Sequence, residues 1–200
     1  MRVIETKAYK FDELSSEAQD KAVNNLRESE GYLDYEWWDF IYENHKEKIE
    51  AEGFYITNMY FRGFHSQGDG AMFEYDGLDD KLLHEAVDSL SLPNWKKSIL
   101  KNACINGKGK QSGHYYHENS CSHSIDIEFD SNMQGYDNIE MLFDMYYADI
   151  EDFIESKYRI LCNDLYTELY NCYEDLLDDE VLTEHLLSNE YEFTEEGELV

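Results

Sequence analysis

The sequence predicts an α+β fold: a mainly antiparallel sheet of about four to five strands packed with helices, followed by a long acidic helical region at the C-terminal end. Three observations carry this. Aromatic and β-branched runs flank a glycine-rich connection between Gly53 and Tyr75. Apolar residues recur at three- and four-residue steps from Ile139 to Leu176. Finally, 45 acidic against 16 basic residues leave a formal charge of −29, and 20 of those acids lie beyond residue 135.

The 200 residues, 42% apolar and 15% aromatic, can bury a substantial core. Acidic chains are often disordered, but 17 Tyr, 10 Phe and 3 Trp argue against that here. Cys104, Cys121, Cys162 and Cys172 show no CxxC spacing, and MRVIETKAYKF at the start lacks the apolar core of a signal peptide. Reduced thiols and a cytoplasmic location are therefore expected. No apolar run approaches the roughly 20 residues needed to span a bilayer.

Residues 2–11 alternate like a strand, and Asp12 and Ser15 offer capping oxygens for a helix over Ser16–Glu28 that Gly31 stops. A second helix is expected over Tyr35–Ala51, with Trp38, Ile41, Tyr42, His45 and Ile49 on one stripe and Trp37 off it. Gly53–Gly63 and Ala71–Tyr75 read as antiparallel strands, Asp79–Leu90 as a short helix, and Pro93 as the opening of another helix through about Cys104. Asn106–Lys110 reads as a loop and a rare basic spot. A half-buried strand follows at Ser124–Phe129, with His114–His117 as a strand segment before it. From Tyr136 to Glu196 there is neither Gly nor Pro. One helix of about 40 residues, on the order of 60 Å, fits that stretch, and a break near Asn163 fits equally. A short helix at Glu180–Leu187 and a strand at Glu190–Thr194 close the chain. The expected division is 1–135 as an α+β core and 136–200 as an acidic region packed on it.

The charge is localised: residues 136–200 carry about −18, against −11 for the rest. Such a surface excludes ordinary nucleic-acid binding through a basic footprint and disfavours anionic membranes, so a charged partner should be basic. Glu151, Asp152, Glu155, Glu174, Asp175, Asp178 and Asp179 alternate with apolar positions, which predicts carboxylates along one solvent face. Duplex DNA carries a charge per roughly 1.7 Å, and this helix supplies around half that density, enough to make imitation of DNA a physical option.

A second candidate is the polar constellation Arg62, His65, Gln67 and Asp69, held between two strands, with His114 and His117 in the other glycine-flanked stretch. Zinc would use His and Cys ligands, but no pair sits at a recognised zinc-binding interval. A Cys121 nucleophile served by His117 or His123 would need an electropositive niche, which an acidic chain does not favour. Gln67–Gly70 resembles part of a calcium loop without its acidic ladder, and no lysine follows the glycines as a P-loop requires. No cofactor or metal is expected.

Five blocks, Tyr9–Ala22, Asp34–Asp39, Phe64–Phe73, Gly113–His117 and Asn189–Gly197, together resemble a family of small uncharacterised phage and prophage proteins. The resemblance spans nearly the whole chain and implies a viral or mobile-element origin. Small acidic phage proteins commonly disable a host protein, some of them by imitating DNA. The expectation is thus an anti-defence inhibitor that binds a basic host nucleic-acid enzyme or defence complex through the seven helical carboxylates. The alternatives are a metal-dependent enzyme or ligand-binding protein using the His/Asp cluster, and an antitoxin.

Overall fold

The computed structural model describes residues 7–29, 31–33, 35–129 and 136–200. In chain order the helices are α1 (Ser16–Arg27), α2 (Asp39–Ala51), α3 (Asp80–Ser89), α4 (Asn94–Leu100), α5 (Tyr136–Asp144), α6 (Tyr147–Leu176) and α7 (Asp179–Ser188). The strands are β1 (Phe54–Arg62), β2 (Gly70–Leu78), β3 (Cys104–Gln111) and β4 (Cys121–Glu128). The chain divides into two compact units, Asp39–Glu168 and a second made of Met1–Trp38 with Leu169–Val200, so the expected boundary at 135/136 falls inside the first.

The larger unit holds the sheet, antiparallel throughout in the order β1-β2-β3-β4, which is the predicted α+β class. Asp79 caps α3 by accepting the Lys81 N–H at 2.8 Å, and Leu82, Leu83, Ala86 and Val87 fall on its buried face. The same periodicity works on α6. Ile150, Ile154, Tyr158, Leu161, Cys162 and Leu165 are all buried at three- and four-residue steps. Tyr158 sits at the centre of that stripe, with its ring 4.5 Å from Phe73 and 4.6 Å from His123. Its hydroxyl donates to the Phe73 carbonyl at 2.8 Å, which is how a buried phenol escapes its desolvation cost.

The smaller unit packs α1 and α7 around Phe11, Leu14, Ala22, Leu26, Leu182, Leu186 and Phe193. Ser15 caps α1 and Asp178 caps α7. Tyr9 and Phe193 exchange two main-chain hydrogen bonds of 2.9 Å. Trp37, set off the apolar stripe by its spacing, is buried and meets Trp38 and Tyr173 edge-on or tilted.

Several sequence expectations need correction. Residues 2–6 of the first predicted strand lie outside the described residues, and the remainder contributes only the Tyr9 bridge. The predicted closing strand is likewise reduced to the bridges of Phe193. Helix α2 starts at Asp39, and α4 stops at Leu100. Asn106–Lys110 is not a loop but the middle of β3, and its basic spot is neutralised across the sheet, with Lys108 2.8 Å from Asp76 and Lys110 3.6 Å from Glu74. Gly109 is needed in that strand because a Cβ there would stand 2.2 Å from the Tyr75 ring. His114–His117 is not a strand and leads into a 3-10 turn, Glu118–Ser120. The long C-terminal helix breaks at Met145–Tyr146 and after Leu176, not near Asn163.

Candidate functional site

The β1–β2 connection and the segment before β4 meet at one end of the sheet. Gly70 allows this approach, since a Cβ there would lie 2.3 Å from the His117 Cβ, and Gly68 lies against the Tyr115 ring. Tyr60 and Tyr116 stack with centroids 5.0 Å apart and planes 9° apart. The predicted polar residues are therefore neighbours, but their hydrogen bonds serve the backbone. The Asp69 carboxylate accepts the main-chain N–H groups of His65 (2.9 Å) and Ser66 (2.5 Å), closing the loop. His117 Nδ1 accepts the Asn119 N–H at 3.1 Å. Arg62 and Gln67 are exposed and make no hydrogen bond or ion pair among the described residues, and His114 offers only an edge-on ring contact to Tyr115. Among the described residues no group of three or more His, Cys, Asp or Glu could hold a metal ion.

Glu74 organises this end of the sheet. Its side chain is 12% exposed and accepts from the Gln111 N–H (3.0 Å), Asn58 Nδ2 (3.1 Å) and the Tyr60 hydroxyl (3.4 Å), joining three strands. The Gln111 N–H, followed by Asn58, Lys110 and Tyr60, holds its carboxyl below the ordinary range against the opposing effect of burial. Sequence reasoning passed over it, although a single acid inside the apolar run Ala71–Tyr75 is the kind of signal that marks a satisfied buried charge.

The helical carboxylates form groups, not a stripe. Glu151, Asp152, Glu174 and Asp175 make no hydrogen bond or ion pair among the described residues. Glu155 accepts from Arg159 at 2.9 Å, Asp178 is spent on the α7 cap, and Asp179 pairs with Arg27. Between the two groups the outward face of α6 is uncharged at the exposed Ser156, Asn163, Thr167 and Asn171, and it includes Arg159 itself. Asp164 pairs with Lys48 and Glu168 with His45, each at 2.9 Å.

Two further polar features, one partly and one fully buried, involve histidines. Cys121 Sγ lies 3.9 Å from His123 Nδ1, whose nearer partner is the Tyr75 hydroxyl at 2.9 Å. Burial pushes the Cys121 thiol up and the His123 imidazole down, which keeps both neutral and opposes a thiolate–imidazolium pair. His45 on α2, only 2% exposed, meets Glu168 through Nε2, while its Nδ1 is buried without a hydrogen-bond partner.

Residues 37–179 match a family described as a domain of unknown function, DUF8835. The chain belongs to that family. No curated protein and no solved structure matches it. The matched span runs from Trp37 through the sheet to the end of α6 and Asp179, so it contains Glu74, the glycine-flanked end of the sheet and all seven helical carboxylates. Among the described residues no helix is long and apolar enough to cross a membrane.

Proposed function

We propose that this member of the DUF8835 family binds and inhibits a basic, nucleic-acid-binding partner by competing for its DNA site, as a phage- or prophage-encoded anti-defence protein. One observation carries the reading: nine of the chain's basic residues stand beside its own carboxylates, while four acids of α6 have no such partner among the described residues. Lys21, Arg27, Lys48, Lys81, Lys101, Lys108, Lys110, Lys157 and Arg159 each stand beside one of its own carboxylates, yet Glu151, Asp152, Glu174 and Asp175 have none. At a net −29, these carboxylates are balanced in the free chain only by mobile counterions and are open to a basic partner. A groove that binds DNA gains affinity by releasing condensed counterions, and carboxylates already fixed on a helix could take the place of phosphates. The uncharged Ser156, Asn163, Thr167 and Asn171, with Asp164 and Glu168 engaged by Lys48 and His45, separate the unpaired acids of α6 into two groups. The resemblance to phage and prophage proteins supports the proposed origin.

The test is co-purification from bacterial cells, followed by competition. The partner should be released by duplex DNA and by raising salt from about 50 to 200 mM, as phosphate-like contacts require. The combined variant E151K/D152K/E174K/D175K spares the Asp178 cap and the Arg27 pair, so it should fold and yet fail to bind. A partner held equally by this variant, or indifferent to DNA, overturns the reading.

A further inference from the structure

Helix α2 is joined to α6 by three polar rungs, all inside the larger unit. Glu52, the residue after α2, meets Lys157 at 2.6 Å, Lys48 meets Asp164 at 2.9 Å, and His45 meets Glu168 at 2.9 Å. As residue numbers fall along α2 they rise along α6, so the two helices run antiparallel and His45 is the rung nearest the start of α2. The first two rungs pair a lysine with a carboxylate and keep contact with solvent. His45 differs, being 2% exposed and in line with the buried Ile41 and Ile49. A carboxylate only accepts, so Nε2 carries the ring hydrogen and donates it to Glu168. That leaves Nδ1 as a bare acceptor in the core, with no hydrogen-bond partner among the described residues. A second proton could bind only there, and the new N–H would find no acceptor.

We propose that His45 is an acid-sensitive latch: when its ring takes up a second proton, the first half of α2, from Asp39 to His45, lifts from α6 while Lys48 and Glu52 hold the remainder in place. Of the three rungs, His45 alone carries an imidazole, the side chain whose ordinary pKa lies near 6.5. Burial is the largest influence on the ring and disfavours its charged form. Glu168 and Asp164 on α6 favour the charge, and Lys48 on α2 opposes it. Strand β1, which also packs on α2, brings the Phe61 ring against Tyr42. The open form therefore binds a proton more readily than the closed one. Below the ordinary histidine value the opening equilibrium shifts by up to about tenfold per pH unit, and above it the latch stays shut. The latch is independent of the proposed function, since it uses none of the four unpaired acids of α6 and needs no partner.

The test is residue-resolved hydrogen exchange by NMR on the full chain from about pH 7.5 to 5.5, corrected for intrinsic exchange, with the His45 ring titrated in the same samples. The amides of Glu43, Asn44 and His45 donate to helical carbonyls at 39–41. Their protection should fall by up to about tenfold per pH unit below 6.5, while amides of α3 and of Leu161–Leu165 keep theirs. His45→Gln, which stays neutral and can still donate to Glu168, should remove the dependence. A ring that titrates at or above the ordinary histidine value overturns the latch. So does protection in α2 that ignores pH, an equal loss in α3, or a dependence that survives in His45→Gln. The wild-type readings decide the case even where His45→Gln fails to fold.

Discussion

The hairpin end of the sheet and its β4 edge treat charge in opposite ways. At the β1–β2 hairpin, Glu74 and Asp69 are surrounded by donors, and even His117 accepts from a main-chain N–H. At the β4 edge, Asp126, Glu128, Glu140 and Asp144 line an apolar groove and meet no donor among the described residues. The histidines and glycines make the first region conspicuous in the sequence, yet its polar groups are consumed in holding two loops together. The second region looks like ordinary acidic surface, yet its charges are available. Chemical distinctiveness of residues and availability of their groups are separate properties, and only the second leaves binding energy for a partner.

The sharpest way to break this contrast is Glu74→Ala. The substitution leaves the Gln111 N–H, Asn58 Nδ2 and the Tyr60 hydroxyl without their acceptor, and a largely buried charged acceptor with three donors is worth about 3 kcal/mol. Urea denaturation should register a loss of that order, and a loss near zero would remove Glu74 as the organiser of this end. Its lowered carboxyl pKa sets a further condition. The stabilisation is present above the ordinary carboxylate pKa and lost as pH falls through the depressed folded value, so acid unfolding should be less steep in Glu74→Gln than in the wild type. Asp69→Ala should cost less, about 1 kcal/mol, because its two main-chain donors lie in an exposed loop where water can replace it.

The architecture was legible where periodicity is strong and local. The buried faces of α1, α3 and α6 follow from three- and four-residue spacing, and the β1–β2 pair from aromatic strands around a glycine connection. What failed depended on partners distant in sequence. Gly107 and Gly109 read as loop because nothing local reveals that Leu78 and Tyr75 fill the space above them in β3. The break at Met145–Tyr146 carries no glycine or proline to announce it. Among candidate residues, the spacing brought Asp69 and His117 to the right end of the sheet but could not say that each would be occupied with backbone. A run of charge in sequence predicts one acidic face, but it hides the uncharged Ser156, Asn163, Thr167 and Asn171 that interrupt the acids on the exposed side of α6.

His45 lies between the two regimes: one ring nitrogen is met by Glu168 and the other, in the core, by nothing. Burial lowers its pKa, with Lys48 acting in the same direction and Glu168 and Asp164 against it. A depressed histidine contributes stability that is complete above the unfolded value near 6.5 and is lost as pH falls below it, at up to about 1.4 kcal/mol per pH unit. Stability measured from pH 8 to 5 should therefore fall in the wild type and stay flatter in His45→Phe. An unchanged slope would place the acid sensitivity elsewhere.

The smallest expected effect is also the one that separates the two regions most cleanly. Neutralising Asp126, Glu128, Glu140 and Asp144 together removes four charges from a chain of net −29 without removing a hydrogen bond among the described residues. Exposed charges without partners contribute little, and these repel the rest of the molecule, so D126N/E128Q/E140Q/D144N should leave stability within about 0.5 kcal/mol of wild type or raise it slightly. Four substitutions at the β4 edge would then perturb the fold less than Glu74→Ala does alone. A destabilisation of about 2 kcal/mol or more would instead mean that these four acids are held by the chain itself, and the contrast with Glu74 would fail.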